Sequence, residues 1–122
     1  MAVITIDFDH TLEFENGGPN MDTINILRNE HVGDTLIIIT SRNFSLASME
    51  NITNFLEEHR IFVSNIIHTN GHPKVDFCKA MKSVKHFDDD EGELEMCEAV
   101  GIKGVNCFNK DIWDKHLKEE LE

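Results

Sequence analysis

The sequence predicts an α/β protein with a doubly wound (Rossmann-like), five-stranded parallel sheet in strand order 3-2-1-4-5 and no cap domain. Short apolar runs alternate with amphipathic segments, as is typical of parallel strands joined by crossover helices. The run from Leu36 to Ile39 has no polar residues, which indicates a strand buried on both faces of a sheet. A length of 122 residues fits a single domain, residues 1–122.

The N-terminal half contains three predicted strands and two predicted helices. Asn20 is expected to cap the first helix, which stops before Gly33. Ser45 is expected to cap the second helix, in which Leu46, Met49, Ile52 and Phe55 form an apolar stripe. The predicted elements are a strand at 3–8, a helix at 21–31, a strand at 35–40, a helix after Ser45 and a strand at about 64–68.

The C-terminal half repeats the same alternation. Pro73 suits the first turn of a short helix that continues through Met81. Asp90 is the expected N-cap of a helix that stops at Gly101. Strands are predicted at 84–87 and about 104–108, a helix at 91–100, and a final helix carries Trp113, Leu117 and Leu121 at intervals of four.

The net charge of -12 predicts long-range repulsion of phosphate backbones and anionic membranes. Nucleic acid therefore stays a possible binding partner, although the net charge does not support it. Four of the eleven basic residues lie close together, and all but Lys74 are interpreted as a solvated helix face. These four are Lys74, Lys79, Lys82 and Lys85.

The chain is expected to be cytoplasmic (intracellular). The N-terminus leads directly into a strand, without the basic and apolar regions of a signal peptide, and no apolar run reaches membrane-spanning length. Cys78, Cys97 and Cys107 lack C-x-x-C spacing, which predicts reduced core thiols. A monomer or small homo-oligomer is expected.

Polar side chains follow three strands that the predicted order places side by side. Asp7 and Asp9 lie at the carboxyl end of the first, Thr40 ends the second, and Asp88 and Asp89 follow the fourth. In parallel sheets these carboxyl ends form one ligand-binding edge. Two charges 4 Å apart repel by about 4 kcal/mol at an effective dielectric near 20. Such a cluster of acids therefore predicts a hard divalent cation, Mg²⁺.

These residues resemble the four motifs of the haloacid dehalogenase superfamily of phosphohydrolases, in its small uncapped form. Asp7-x-Asp9-x-Thr11 looks like the first motif and Thr40 the second. Lys74 looks like the third motif and the Asp88-Asp89 pair the fourth. The motifs occur in the family's order and span nearly the whole chain.

The resemblance implies a Mg²⁺-dependent phosphatase that cleaves a phosphomonoester through an aspartyl-phosphate. Asp7 would be the nucleophile and Asp9 the general acid and base. Thr40, the Ser41 backbone N–H and Lys74 would bind the phosphoryl group. The metal ligands implied are the Asp7 side chain, the Asp9 backbone carbonyl and one acid of the fourth motif, with Asp89 favoured over Asp88.

Several alternatives stay open at this point. Lys79 is a second candidate for the motif lysine, because Lys74 lies closer to the fourth motif than in many relatives. A receiver domain also combines acids, Thr and Lys, but it requires an aspartate after the third strand, where this chain has His68-Thr69-Asn70. The i, i+4 pair His68 and His72 is interrupted by glycine and followed by proline, which disfavours a zinc site.

Two further residues lie beside the motifs. Arg42 either contacts substrate or pairs with an acid, and His10 is a candidate substrate contact. The short loops predict an open mouth, covered at most by residues 13–20. The substrate would be a phosphorylated small molecule or a macromolecular end, so a nucleotidase or polynucleotide 3′-phosphatase is an alternative. A non-catalytic module that binds metal or phosphate within an assembly is the alternative from another class.

Overall fold

The computed structural model describes residues 1–108, together with Asp114 and Lys118. Residues 1–108 form a five-stranded parallel sheet in the order β3-β2-β1-β4-β5, which confirms the predicted fold class. The strands are β1 (Val3–Ile6), β2 (Thr35–Thr40), β3 (Asn65–His68), β4 (Lys85–Asp88) and β5 (Lys103–Asn106). The helices are α1 (Met21–Glu30), α2 (Leu46–Glu58), α3 (Val75–Ala80) and α4 (Glu91–Ala99). The predicted helix with Trp113, Leu117 and Leu121 lies outside the described residues.

The central strand β1 fixes where the polar strand ends meet. Ile6 pairs with Ile38 of β2 on one side and with Phe87 of β4 on the other. The residues that directly follow Ile6 and Phe87 are both aspartates. This register therefore brings the first and fourth motifs to the same edge of the sheet.

Helices cover both faces of the sheet, so the core has two parts. Successive strand residues point to opposite faces, and Ile38 accordingly packs with α1 and α2 whereas Ile37 and Ile39 pack with α3 and α4. The uninterrupted apolar run of β2 is thus explained by burial on both sides. The first core also contains Ile4, Ile6, Phe8, Ile24, Leu27, Ile52, Phe55 and Phe87.

The predicted caps of three helices are confirmed. The Asn20 side chain accepts the Thr23 N–H at 3.5 Å, and the Ser45 hydroxyl accepts the Ser48 N–H at 2.9 Å. Asp90 Oδ1 accepts the Glu93 N–H at 3.2 Å. Each cap satisfies one of the backbone donors that the first turn of a helix leaves unpaired.

Several predicted boundaries differ from the structure by one or two residues. β1 ends at Ile6 because the Phe8 carbonyl accepts the N–H groups of Thr11 and Leu12 and so begins a turn. The buried stripe of α2 begins one turn later than predicted, because Leu46 at the N-terminus of the helix is 81% exposed. The other observed ends that differ from the predicted ones are Glu30 of α1, Asn65 of β3, Val75 and Ala80 of α3, Lys85 and Asp88 of β4, Ala99 of α4, and Lys103 and Asn106 of β5.

The segment 13–20 between β1 and α1 folds back on the turn after β1. Phe14 donates its N–H to the Gly18 carbonyl at 2.8 Å, and Asn20 donates to the Leu12 carbonyl at 2.7 Å. Gly17 has a positive φ of 84°, a conformation that glycine adopts at little cost. None of the described helices is long and apolar enough to cross a membrane.

Candidate active site at the carboxyl edge of the sheet

Three aspartates converge where β1 and β4 end. Carboxylate oxygens of Asp7, Asp88 and Asp89 all lie within 4.8 Å of one another. Asp7 is 4% exposed and Asp88 is wholly buried, whereas Asp89 is half-buried. The structure therefore brings together acids that are separated by about 80 positions in the sequence, as the predicted strand order requires.

Lys74 lies between two of these carboxylates. Its Nζ is 3.0 Å from Asp7 Oδ1 and 2.8 Å from Asp88 Oδ2. The Lys74 backbone N–H also donates to Glu93 Oε2 at 3.0 Å, which ties the start of α3 to α4. Lys79, the alternative motif lysine, is exposed on α3. Of the two candidates, Lys74 is thus the one in contact with the aspartates.

The pKa of Asp88 lies well below its ordinary value. Burial alone would raise the pKa, but hydrogen bonds and positive charge from His86 and Lys74 outweigh it. His86 Nε2 is 2.8 Å from Asp88 Oδ2, and the Asp90 backbone N–H donates to Oδ1 at 3.0 Å. Asp88 is therefore held as a carboxylate, with partners on both oxygens.

Asp7 has the opposite shift. Burial and the charge of Asp88 raise its pKa well above the ordinary value, and Lys74 only partly offsets them. Burial also raises the pKa of Asp89. In the absence of a further cation, burial and mutual repulsion together resist ionisation of all three acids.

The donor set fits a hard divalent cation. All of the clustered side-chain donors are carboxylate oxygens, the ligands that Mg²⁺ prefers. The oxygens of Asp88 already accept hydrogen bonds from Lys74, His86 and a backbone N–H. Asp89 Oδ1 has a longer contact, 3.4 Å from the Thr11 hydroxyl. This difference favours Asp89 over Asp88 as a metal ligand, because Asp89 would give up only a long hydrogen bond in order to bind the ion.

The Asp9 carboxylate pairs with Arg42 and is not part of the three-aspartate cluster. Arg42 Nε donates to Asp9 Oδ2 at 2.8 Å and its second terminal nitrogen donates to Oδ1 at 2.7 Å. Arg42 is itself braced by Asn51 Oδ1 at 2.8 Å and lies 5.2 Å from the centre of the Phe8 ring. Between the two roles left open by the sequence, Arg42 here pairs with an acid and fixes its orientation.

The loop after β2 is held by hydrogen bonds within itself and to the loop after β3. Thr40 is wholly buried, and its Oγ1 accepts the Arg42 backbone N–H at 3.3 Å. The Ser41 carbonyl accepts the Gly71 N–H at 2.8 Å, so the loops after β2 and β3 are joined. Ser41 itself is exposed.

His10 lies in the turn between the two motif aspartates. Its backbone is left-handed, with φ of 63°, and its Nε2 is 3.4 Å from Glu15 Oε1. The imidazole is a little over one third exposed. The position is therefore accessible from solvent at the edge of the site.

Sequence reasoning missed two residues that organise this site. His86 was overlooked, although His86 and Asp88 are two apart on β4 and must share a face of the sheet. Glu93 was also missed, and its contact with the Lys74 backbone depends on α3 and α4 being adjacent, which no local pattern signals.

The histidine pair that the sequence disfavours as a zinc site forms no metal cluster among the described residues. His68 Nε2 is 2.9 Å from the Ser48 hydroxyl, and its ring packs edge-on against Phe44. Neither His68 nor His72 belongs to a cluster of three metal-ligating side chains in that part of the chain.

No family model and no curated protein matches this sequence. The fold is similar to a chain in the solved structure of the Pnkp1/Rnl/Hen1 RNA repair complex, with a TM-score of 0.67 and 19% sequence identity. The match covers 89% of this chain and 43% of that chain. The chain thus spans less than half the length of the protein it resembles, and the similarity shows a shared fold.

Proposed function

We propose that this chain is a Mg²⁺-dependent phosphatase of the haloacid dehalogenase type, which hydrolyses a phosphomonoester through an aspartyl-phosphate. The observation that carries the proposal is the convergence of Asp7, Asp88 and Asp89 around the buried ammonium of Lys74. The order of the four motifs along the chain supports the same reaction. Phosphoryl transfer depends chiefly on positioning and charge stabilisation, which this arrangement supplies.

Asp7 acts as the nucleophile. One of its oxygens attacks phosphorus, and the bond from phosphorus to the leaving oxygen breaks. The Thr11 hydroxyl, 3.2 Å from Asp7 Oδ2, and Lys74, 3.0 Å from Oδ1, hold the carboxylate in one orientation. The Asp7 side chain, the Asp9 carbonyl and Asp89 or Asp88 would hold Mg²⁺, which would supply charge neutralisation for the phosphate.

Asp9 moves the protons. It first donates a proton to the leaving oxygen and then takes one from the water that attacks the aspartyl-phosphate, which releases phosphate and restores Asp7. Each Asp9 oxygen accepts one hydrogen bond from Arg42 and keeps a second lone pair for proton transfer.

The phosphoryl oxygens are bound by residues of neighbouring loops. Thr40 contributes its hydroxyl, Ser41 its backbone N–H and Lys74 its ammonium. The buried position of Lys74 strengthens its interaction with phosphate because little water screens it. His10 is the substrate contact proposed at the edge of the site, where Arg42 orients Asp9.

Hydrolysis of an aryl phosphate in the presence of Mg²⁺ tests the proposal. Asp7→Asn should reduce kcat by several orders of magnitude, whereas Asp22→Asn, an exposed aspartate on α1, should leave it unchanged. Acid-quenched protein incubated with labelled substrate should carry label on Asp7. Equal turnover by the wild type and Asp7→Asn would overturn the nucleophile assignment.

A polynucleotide 3′-phosphatase or nucleotidase is the second candidate. It is favoured by the similarity in fold to a chain of an RNA repair complex. The net charge of -12 opposes tight binding along a nucleic-acid backbone, although it does not prevent recognition of a terminal phosphate. A panel of nucleotides, sugar phosphates, phosphopeptides and 3′-phosphorylated oligonucleotides distinguishes these substrates.

A non-catalytic module that binds metal or phosphate within an assembly is the alternative from another class. Mg²⁺ binding without turnover across the whole panel would favour it. Partners beyond the phosphorylated substrate, the cytoplasmic location, and the monomeric or small homo-oligomeric state all stay predictions.

A further inference from the structure

A second cluster of potential metal ligands includes His86 of β4 and lies on the side of its ring away from Asp88. Cys78 on α3, His86 on β4 and Cys97 on α4 are all 0% exposed. Their sulfur and nitrogen atoms lie within 4.8 Å of one another. The sequence predicted only reduced core thiols here, because the spacing between the cysteines matches no metal motif.

The separation of Cys78 and His86 suits two ligands of a tetrahedral metal site. Cys78 Sγ is 3.6 Å from His86 Nδ1. Two tetrahedral ligands at ordinary Zn–S and Zn–N distances are separated by about 3.6 Å. The Thr5 hydroxyl, 3.4 Å from Cys78 Sγ and 2.8 Å from His86 Nδ1, is the neighbouring neutral oxygen.

The orientation of His86 also suits metal binding. Its Nε2 is 2.8 Å from Asp88 Oδ2, so Nδ1 faces the thiols. Metal-bound histidines commonly donate their second ring N–H to a carboxylate, which fixes the ring and increases its basicity. Asp88 provides this carboxylate while it also contacts Lys74 of the candidate active site.

We propose that Cys78, His86 and Cys97 form a binding site for a thiophilic divalent cation of the Zn²⁺ class, separate from the three-aspartate cluster. Two thiolates and one imidazole are the ligands that Zn²⁺ prefers over Mg²⁺. The bound form has two thiolates and a neutral His86 that coordinates through Nδ1, so the protons held by the thiols and the imidazole in the metal-free cluster are released to solvent. The Thr5 hydroxyl or a water fills the fourth position.

The site couples two parts of the molecule. The metal would join α3 and α4 to β4, and Asp88 connects it to the candidate active site through one hydrogen bond. The proposal does not depend on phosphatase activity, because its ligands and its test concern sulfur coordination alone.

Cobalt substitution tests the site in the whole protein under reducing conditions. Because the cluster is buried, the protein is unfolded and refolded with one equivalent of Co²⁺ or Zn²⁺. Tetrahedral Co²⁺ bound to thiolates has an intense sulfur-to-metal charge-transfer band, which Co²⁺ at carboxylates lacks. The wild type should show this band and retain one Zn²⁺ per chain.

Variants identify the ligands. Cys78→Ser and Cys97→Ser should lose the band and bind Zn²⁺ more weakly by over about 100-fold, since loss of an outer-shell partner alone costs about 10- to 100-fold. Cys107→Ser is the matched control, because Cys107 is equally a buried thiol but lies outside the cluster. It should retain the band.

Three outcomes would overturn the proposal. They are a natively folded, fully reduced wild type without the band, a band retained in both Cys78→Ser and Cys97→Ser, and a band lost in Cys107→Ser alone. Circular dichroism of each variant separates lost binding from lost folding. The wild-type spectrum decides the question even if both ligand variants fail to fold.

Discussion

The Lys74 ammonium lies 2.8 Å from Asp88 Oδ2, and neither side chain is more than 5% exposed. Asp7 Oδ1 lies 3.0 Å from the same nitrogen. One buried cation therefore offsets two carboxylates. Removing one member of a buried ion pair commonly costs about 3–5 kcal/mol, because the remaining charge is left in a poorly solvated place.

The first prediction concerns this cation. Lys74→Met keeps much of the side-chain volume but leaves Asp7 and Asp88 without their shared partner. We expect unfolding free energy to fall by about 3–5 kcal/mol in metal-free buffer. Urea denaturation measures the change.

Lys79→Met is the matched control, because Lys79 is an exposed lysine on the same helix. Its unfolding free energy should stay within about 0.5 kcal/mol of the wild type. Equal losses in the two variants would show that the ammonium of Lys74 has no special role in stability.

The second prediction concerns Asp7 in the metal-free protein. Its pKa is raised by folding, so ionisation of Asp7 lowers stability as pH rises above about 3.8, the value in the unfolded chain. Each pKa unit corresponds to about 1.4 kcal/mol, and about 1 kcal/mol shifts the Tm of a domain this size by about 4 °C. Asp7→Asn should therefore raise Tm by several degrees at pH 7 in EDTA.

The difference between wild type and Asp7→Asn should shrink as pH falls toward 4, because Asp7 then becomes protonated in the unfolded chain as well as in the folded one, and folding no longer changes its proton. Thermal melts followed by circular dichroism between pH 4 and pH 7 measure it. A lower Tm for Asp7→Asn at pH 7 would mean that the bond to Lys74 outweighs burial and repulsion.

The third prediction concerns Mg²⁺. A ligand at 100 times its Kd stabilises the folded state by about 2.7 kcal/mol. Titration of the wild type should reach this value, while Asp89→Asn should require far more Mg²⁺ for the same shift. Identical melts of the wild type in EDTA and in saturating Mg²⁺ near pH 7 would contradict the metal site.

The sheet order could be predicted because it follows from local patterns. The apolar run at residues 36–39 indicates a buried parallel strand, and the alternation with helices then leaves few topologies. Strand ends were less predictable. β1 stops at Ile6 because three N–H groups converge on the Phe8 carbonyl, a turn that neighbouring residue types do not specify.

The convergence of Asp7 with Asp88 could be predicted because each lies at the carboxyl end of a strand. The order of the strands alone then brings the two residues to the same edge of the sheet. The pairing of Asp9 with Arg42 depends instead on two loop side chains, whose directions no periodicity fixes. The contact of His86 with Cys78 depends on how α3 packs against the sheet. Sequence therefore located the edge of the site better than the contacts around it.

The fourth prediction concerns the bidentate pair of Arg42 and Asp9. Lysine carries the same charge but cannot form two parallel hydrogen bonds, so Arg42→Lys should orient Asp9 poorly. Misplacement of a catalytic group by about 1 Å can cost about 100-fold in rate. We expect kcat for an aryl phosphate to fall by about that factor in Arg42→Lys.

Arg60→Lys is the control for the chemical change, since Arg60 is exposed at the end of α2, and it should leave kcat unchanged. If Arg42 serves only to bind substrate, Arg42→Lys would raise KM and leave kcat near the wild-type value. That result would contradict a role in orienting Asp9.

The last prediction separates two roles of His10. Its φ of 63° is a left-handed conformation that costs most residues about 1–2 kcal/mol, whereas glycine adopts it freely at an entropic cost of about 0.5–1 kcal/mol. His10→Gly should therefore change Tm by only a few degrees, while the β-branched His10→Val should lower it clearly. If the imidazole also contacts substrate, His10→Gly raises KM several-fold with kcat little changed. An unaltered KM in His10→Gly would show that residue 10 serves the turn and not the substrate.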